Sequence, residues 1–166
     1  MFITIYDEYG CPSGSGGANM GDGIPRFKNK YPDATLRRLD KHEDAITGPA
    51  AYTKPLPAGT LMSLVAMNSD TKERVDLTGK VSGGSISWSV PAGSWKVMSF
   101  VCVLDGDPNV DYLDPKQVEK YVSMVYQPYY ERFGKDFGKT ISGAFYDEPT
   151  MYRGQGRLWT DGFNEK

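Results

Sequence analysis

Histidine and cysteine are scarce in this sequence. Its 166 residues include one histidine, His42, and two cysteines, Cys11 and Cys102, with no Cys-x-x-Cys pair. Zinc sites and disulfide scaffolds both need clusters of these residues, so neither is indicated. Two unpaired thiols are the simpler interpretation, and cysteine usage therefore identifies no redox compartment.

A basic excess and long apolar runs are also missing. The chain has 19 Lys and Arg against 21 Asp and Glu, a formal net charge of -2, and no basic stripe. Nucleic-acid binders carry such a stripe, so we expect no nucleic-acid partner. No apolar run approaches the roughly 20 residues of a membrane span. The opening MFITIYDE is too short and too acidic for a signal peptide, so we expect a soluble chain without a membrane partner.

One short motif occurs twice. A β-branched and aromatic run begins at Phe2 and leads into Tyr-Asp-Glu at residues 6–8, after which the Gly-rich stretch YGCPSGSGG follows. A second run begins at Ile141 and leads into Tyr-Asp-Glu at residues 146–148, followed by Pro149. Such runs favour strands, whereas Gly and Pro end them. The sequence therefore predicts two strands that each end in Tyr-Asp-Glu.

Residues 57–104 predict a small antiparallel β module. Four strand-like runs, TLMSLVAMN, RVDLTGKV, SISWSV and SWKVMSFVCVL, are separated by SDTK, SGG and PAG, which have the composition of turns. Ile86, Trp88 and Val90 alternate with serines, so we expect them to face the core. The last run is apolar on both faces from Val97 onward, as in a central strand.

Residues 18–55, by contrast, are polar and interrupted by Gly and Pro. They predict a long loop, with one weak helical signal at Leu36, Leu39 and Ile46. Loops of this length are usually functional or form an excursion from the fold.

Residues 115–133 predict a helix. Asp114, Pro115 and Gln117 supply an N-cap, a first-turn proline and a capping-box partner. Pro128 removes one backbone donor and should kink the helix. An apolar stripe recurs at helical spacing at Val118, Tyr121, Val122, Val125 and Tyr129.

The order strand, β module, helix, strand predicts a stretched β-α-β unit in a chain of the α+β or α/β class. We expect three parts: residues 1–56, a strand with a long Gly-rich loop; residues 57–104, the module; and residues 105–166, the helix, the second strand and a loop. The two flanking strands should be parallel, with a right-handed crossover. Both Tyr-Asp-Glu motifs then lie at the carboxyl edge of one sheet, where α/β folds place their ligand sites.

Acids at such an edge suit glycoside hydrolysis. That reaction uses two carboxyl groups, about 5–5.5 Å apart for retention or about 6.5–9.5 Å for inversion, with aromatic rings nearby. Solvated strand ends carry the same acids, and tyrosines serve equally as core residues, so both interpretations stay open. The candidates are Asp7, Glu8, Asp147 and Glu148, with Tyr6, Tyr146 and Tyr152 beside them.

Two polar stretches could be taken for metal sites. Asp105, Asp107, Asn109 and Asp111 have the spacing of a calcium loop but lack the Gly and the terminal Glu of an EF-hand. His42 lies among charged residues, which is typical of a solvated stretch. We therefore assign no metal ligand from the residues themselves.

Three segments together resemble a known family. They are IYDEYGCPSGSGG, VDLTGKVSGGSISWSVPAGSWKVMSF and DYLDPKQVEKYVSMVYQPYYERFGKDFGKTISGAFYDEP. They resemble the catalytic region of large bacterial glycoside hydrolases akin to the α-L-rhamnosidases of glycoside hydrolase family 106. The resemblance implies a (β/α)8 barrel interrupted by a small β module. Such a barrel takes roughly 250 residues, so the resemblance implies that this chain is a fragment, with the small antiparallel β module inserted in a partial (β/α) barrel segment, and that it is inactive in isolation.

The resemblance also implies roles for the acids. Glu148 would be the general acid, and Asp7, Glu8 and Asp147 would line the sugar subsite, with Glu8 as the second catalytic candidate. The tyrosines Tyr6, Tyr146 and Tyr152 are the remaining substrate-binding candidates. The substrate would be a carbohydrate, the partner the remainder of the enzyme, and the location periplasmic or secreted. Such rhamnosidases use a calcium ion near the sugar, but no cofactor is assigned here.

Two other functions stay open. The chain could be a non-catalytic carbohydrate-binding β module, or a structural piece between domains. Exposed Trp88, Trp95 or Trp159 would favour binding, and buried ones would favour structure.

Overall fold

The computed structural model describes residues 1–8, 26–106, 109–147 and 154–165. About half of these residues lie in strands and about a quarter in helical turns, so the chain is mixed α and β, as predicted. It divides into two compact units. The first comprises residues 1–38 and 104–162, and the second residues 39–103 and 163–166.

The helices and strands of the described residues are as follows. They are β1 (Ile3–Glu8), α1 (Arg26–Lys30), β2 (Arg37–Pro55), β3 (Thr60–Asn68), β4 (Arg74–Asp76), β5 (Val81–Ser82), β6 (Ser85–Leu104), α2 (Pro115–Val125), α3 (Gln127–Phe133), β7 (Ile141–Asp147) and β8 (Arg157–Leu158). No helix in this part of the chain is long and apolar enough to cross a membrane.

The first unit contains the two strands that carry the repeated motif. β1 pairs with β7 in parallel, which confirms the predicted direction. Ile5 and Ile141, one from each strand, are buried. The core elsewhere in this unit forms around Phe27 and Tyr121, whose rings meet edge to face at a centroid distance of 6.1 Å.

The start of α2 matches the sequence prediction. The Asp114 side chain accepts hydrogen bonds from the Lys116 backbone at 3.0 Å and from Gln117 Nε2 at 2.8 Å. Pro115 occupies the first turn, where its missing N–H costs nothing.

The predicted single helix over residues 115–133 is wrong in one respect. It is broken at Tyr126 into α2 and α3, and Pro128 lies in the first turn of α3. Pro128 has no N–H to donate to the carbonyl four residues earlier, and its ring crowds that carbonyl. The helix is therefore broken before Pro128, whereas the sequence predicted only a kink. On the predicted apolar stripe Tyr121 and Val125 are buried, whereas Val122 is exposed.

The second unit is built on a curled antiparallel sheet. Neighbouring strands follow the order β4, β3, β6, β2, and the short β5 pairs with β6. β6 therefore has partners on both sides, which confirms the prediction of a central strand after Val97. The first residues of β2, up to Arg38, belong to the first unit, as does their neighbour β8.

The predicted loop over residues 37–55 is wrong, because these residues form β2. Their even-numbered positions from 44 to 52 are half-buried and the odd-numbered ones are exposed, which is the alternation of a strand with one packed face. Pairing with β6 thus overrides a polar composition that favours a loop.

The predicted turn at Pro91-Ala92-Gly93 is also wrong, because β6 continues through it. Gly93 has φ +113°, a conformation that glycine adopts without strain. Asn68, on β3, lies so close that a Cβ on Gly93 would be 2.9 Å from its Nδ2. The sequence signal therefore marks an irregular point within one long strand.

β2 also has an irregular point, at Gly48, which lies opposite the irregular point of β6. A Cβ on Gly48 would lie 1.9 Å from the Pro91 carbonyl oxygen, so the two backbones approach more closely than any side chain permits. On one side of this contact Lys96 Nζ donates a hydrogen bond to Glu43 Oε1 at 2.7 Å. On the other side the hydroxyl oxygens of Thr53 and Ser87 are hydrogen-bonded at 3.3 Å. Residue numbers rise on β2 as they fall on β6, so the strands are antiparallel.

The core of the second unit lies along β3 and β6. Its buried residues are Leu64, Ala66, Leu77, Ile86, Val90, Trp95 and Val97. Trp88 is half-buried and packs against this core, as predicted, with its ring edge-on to Trp95 at 5.4 Å.

We predict that Gly48→Ala destabilises the second unit by about 1–3 kcal/mol, because the added methyl group overlaps the Pro91 carbonyl. Chemical denaturation followed by tryptophan fluorescence measures this, since Trp88 and Trp95 lie in the affected core. Gly79→Ala is the matched control, because a Cβ there meets nothing within 4 Å. Equal unfolding midpoints for the two variants would contradict the proposed close approach.

Candidate functional site

The described residues of the two Tyr-Asp-Glu motifs lie on neighbouring strands. In the parallel ladder Tyr6 pairs with Phe145, Asp7 with Tyr146 and Glu8 with Asp147. Because both strands run in the same direction, Glu8 and Asp147 reach the same, carboxyl, edge of the β1–β7 pair. The sequence predicted this juxtaposition from chain order alone.

The predicted site residues differ in how far the structure describes them. Tyr6 is 45% exposed, and its ring stacks on that of Phe145 at 5.6 Å. The backbones of Asp7, Glu8, Tyr146 and Asp147 are placed in the ladder. Glu148 and Tyr152 lie outside the described residues, so the proposed general acid remains a prediction from sequence.

An apolar cavity lies beside the same strand pair. It has a volume of about 300 Å³ and lies between residues 3–6 of β1 and two aromatic side chains of α3, Tyr129 and Phe133. Phe133 is 41% exposed and Phe145 is 53% exposed. The two-stranded sheet therefore presents apolar side chains that the described residues do not cover.

In the stretch that has calcium-loop spacing, Asp105 lies beside a cationic side chain of the chain itself. Asp105 is buried, its Oδ2 lies 3.6 Å from Arg38 Nη1, and the Gln155 backbone donates to it at 2.8 Å. The Arg38 guanidinium thus supplies the positive charge that a metal ion would otherwise supply. Asp107 lies outside the described residues, and no group of three metal-binding side chains occurs among those described.

Asp111, from the same stretch, is a buried carboxyl group. Burial raises its pKa above the ordinary value of 3.8, while hydrogen bonds from Thr160 and the Leu113 backbone act in the opposite direction. Its backbone donates to the Ala34 carbonyl at 3.0 Å. This residue therefore has a structural position in the first unit.

The tryptophans offer no exposed stacking platform. Trp95 is 2% exposed and its Nε1 donates to the Pro91 carbonyl at 3.1 Å. Trp88 and Trp159 are half-buried. Exposed tryptophan rings would have favoured carbohydrate binding, and none of the three tryptophans is exposed.

The second unit contains a polar cluster that sequence analysis missed. Tyr52 donates to Asp44 Oδ2 at 2.7 Å, and Lys54 Nζ lies 2.7 Å from both carboxylate oxygens. All three residues belong to β2, and Asp44 and Tyr52 are eight residues apart. In a straight strand that separation is about 26 Å, which side chains cannot span. β2 must therefore bend between them, where Gly48 approaches Pro91.

This cluster lines a cavity of about 290 Å³. Its apolar wall comes from Leu64, Ile86 and Val97, and its polar side from the cluster with His42 and Ser99. The hydrogen bond from Lys54, and then that from Tyr52, hold the pKa of Asp44 below its ordinary value. Burial, and then the Asp44 carboxylate, raise the pKa of Tyr52, so its phenol stays protonated. The only sequence signal for the cavity is the Gly-Pro step at residues 48–49 within an alternating run.

We predict that Asp111→Asn changes the pH dependence of stability. A raised pKa in the folded state means that wild-type stability falls as pH rises from below 3.8 through the raised value. The variant lacks this fall, so its stability relative to wild type should increase over that range. Thermal unfolding across an acidic pH series measures the difference. Asp33→Asn, at an exposed position in the same unit, is the control, and identical pH profiles for wild type and Asp111→Asn would be the contrary result.

We predict the opposite pH dependence for Asp44→Asn. The lowered pKa of Asp44 contributes stability that is present above 3.8 and is lost as pH falls through the lowered value. The variant should be less stable by about 0.5–1 kcal/mol near neutral pH, since the pair is partly screened by solvent. This deficit should shrink in acid, and Asp70→Asn, on an exposed turn of the same unit, should show none. A deficit that is constant with pH would show that the ion pair is not its cause.

Comparison with known proteins gives no relative. No protein-family model matches the chain, and neither a curated protein nor a solved structure matches it.

Proposed function

We propose that this chain is part of the catalytic region of a glycoside hydrolase, rhamnosidase-like or galactosidase-like, that acts on complex glycans. The observation that carries the proposal is the parallel register that pairs Glu8 with Asp147. It brings two acidic segments from distant parts of the sequence to one sheet edge. Glu148 follows Asp147 directly in the sequence.

The exposed side chains of β1 and β7 support the proposal of a barrel that is completed by further strands. Parallel sheets are normally covered on both faces, and two strands alone are marginally stable. Here Ile3, Tyr6 and Phe145 are each at least 45% exposed on such a pair. Additional strands and helices of the enzyme would cover these side chains and would make the remainder of the enzyme the chain's partner.

The division of the chain supports an inserted β module. The first unit is discontinuous in sequence, since residues 39–103 of the second unit separate its two parts. A module carried as an excursion from a strand–helix–strand unit has this arrangement. The two proposed halves of the catalytic edge then come from the two sides of the insertion.

The proposed chemistry is general acid catalysis with a second carboxylate. Glu148 donates its proton to the glycosidic oxygen as the bond from that oxygen to the anomeric carbon breaks. Glu8 either attacks the anomeric carbon or removes a proton from the water that attacks it. The backbones of neighbouring strands are about 4.8 Å apart, which is comparable with the carboxyl separation of about 5–5.5 Å in retaining enzymes.

We predict that Glu148→Gln, in the enzyme whose further strands complete the sheet, lowers turnover of unactivated glycosides by about 10²–10⁴-fold. Aryl glycosides with good leaving groups should be affected much less, because their departure needs little protonation. Steady-state hydrolysis of both substrate types measures the contrast. The isolated chain should hydrolyse neither.

Glu119→Gln is the matched control, because Glu119 is exposed on α2 and belongs to neither strand. It should leave both rates unchanged. Wild-type turnover of unactivated glycosides by Glu148→Gln would rule out the assigned acid. Loss of both rates to the same extent would indicate damage to the fold rather than loss of a proton donor.

A further inference from the structure

The cavity beside the Asp44 cluster has the size and the walls of a small-ligand site. Its volume of about 290 Å³ is just below the range for ligand pockets, about 300–1,000 Å³. Leu64, Ile86 and Val97 are at most 2% exposed, so they form its closed end in the core. The apolar surface that a ligand can reach comes from Pro55, which is exposed, and from Leu56 and Pro57, which are half-buried. Such pockets combine an apolar surface with a few fixed polar groups. The space admits one ring rather than an extended chain.

The charges of the cavity compensate each other. Asp44 carries a negative charge and Lys54 a positive one, and the two groups are in direct contact at 2.7 Å. An anionic ligand would meet the Asp44 carboxylate, and a cationic ligand would meet the Lys54 ammonium. A neutral ligand avoids both repulsions, so the electrostatics favour a neutral molecule.

The hydrogen-bonding groups suit a ligand with several hydroxyls. Two ionised carboxylate oxygens offer about four acceptor positions, of which the three described bonds to Asp44 use three. The Tyr52 oxygen still has lone pairs, and an ammonium such as that of Lys54 has three donors. Ser99 adds a hydroxyl to the lining. This mixture of donors and acceptors matches sugar hydroxyls, which both donate and accept.

We propose that this cavity binds one neutral sugar ring, with the apolar face of the ring against Pro55, Leu56 and Pro57 and its hydroxyls toward Asp44, Tyr52 and Lys54. The bend of β2 at Gly48 creates the site, because it brings Asp44 to Tyr52. The choice of a sugar among neutral polyols rests on the proposed function. The cavity is lined by residues of the second unit and would hold a glycan without cleaving it.

Binding can be measured on the full 166-residue chain by NMR. The probes are the methyl glycosides of L-rhamnose and D-galactose, with glucuronate as the anionic and glucosamine as the cationic comparison. We expect a neutral glycoside to shift the amide signals of Tyr52, Lys54 and Ser99, and the charged sugars to bind more weakly. Absence of shifts with both neutral glycosides, or equally strong binding of glucuronate, would overturn the proposal.

Variants that remove one hydroxyl test the assignment without emptying the core. Tyr52→Phe and Ser99→Ala should each weaken binding about three- to tenfold, the usual effect of one lost hydrogen bond. Ser89→Ala is the matched control, because Ser89 is exposed on the same strand and does not line the cavity. Near-ultraviolet circular dichroism of the Trp88–Trp95 pair checks that each variant is folded. Unchanged affinity in both hydroxyl variants would contradict the site.

The outcomes separate this site from the proposed catalytic edge. Sugar binding at Ser99 and Tyr52, without hydrolysis by the completed enzyme, would support the sugar site and contradict the proposed hydrolase activity. Hydrolysis without binding at the cavity supports the hydrolase and overturns the sugar site.

Discussion

The parallel pairing of β1 with β7 is the constraint on which the functional account depends. Parallel neighbours cannot be joined by a hairpin, so the chain must leave the first strand and return to the same end before it enters the second. The entropy of closing such a loop rises only slowly with its length, so a whole β unit can lie within the connection. The same direction of the two strands places Glu8 and Asp147 at one edge.

A second constraint acts within the sheet of the other unit. The contact of Gly48 with the Pro91 backbone lets two long strands bend together, and the curled sheet encloses a cavity. Asp44 and Tyr52, distant along a straight strand, then share a hydrogen bond. The irregular point is thus the origin of the polar cluster, and a straight sheet of the same composition would hold no such site.

Local signals in the sequence predicted local structure well. Asp114 and Pro115 mark the start of α2, and the apolar run after Val97 marks the central strand, because capping and two-sided burial depend on neighbouring residues. β2 was missed because its exposed face is polar and its strand character comes from pairing with β6. The Asp44–Tyr52 contact was missed because it depends on a bend, which no periodicity reports. At the candidate active site the sequence predicted the shared edge, while the role of Glu148 stays a prediction.

The register of β1 and β7 can be tested directly by nuclear Overhauser effects between backbone protons in the isotope-labelled chain. The account predicts cross-strand contacts that link Thr4 with Gly143, Ile5 with Ala144 and Tyr6 with Phe145, in the pattern of a parallel ladder. An antiparallel pattern would contradict it. So would a parallel ladder shifted by one residue, because Glu8 would then no longer lie beside Asp147.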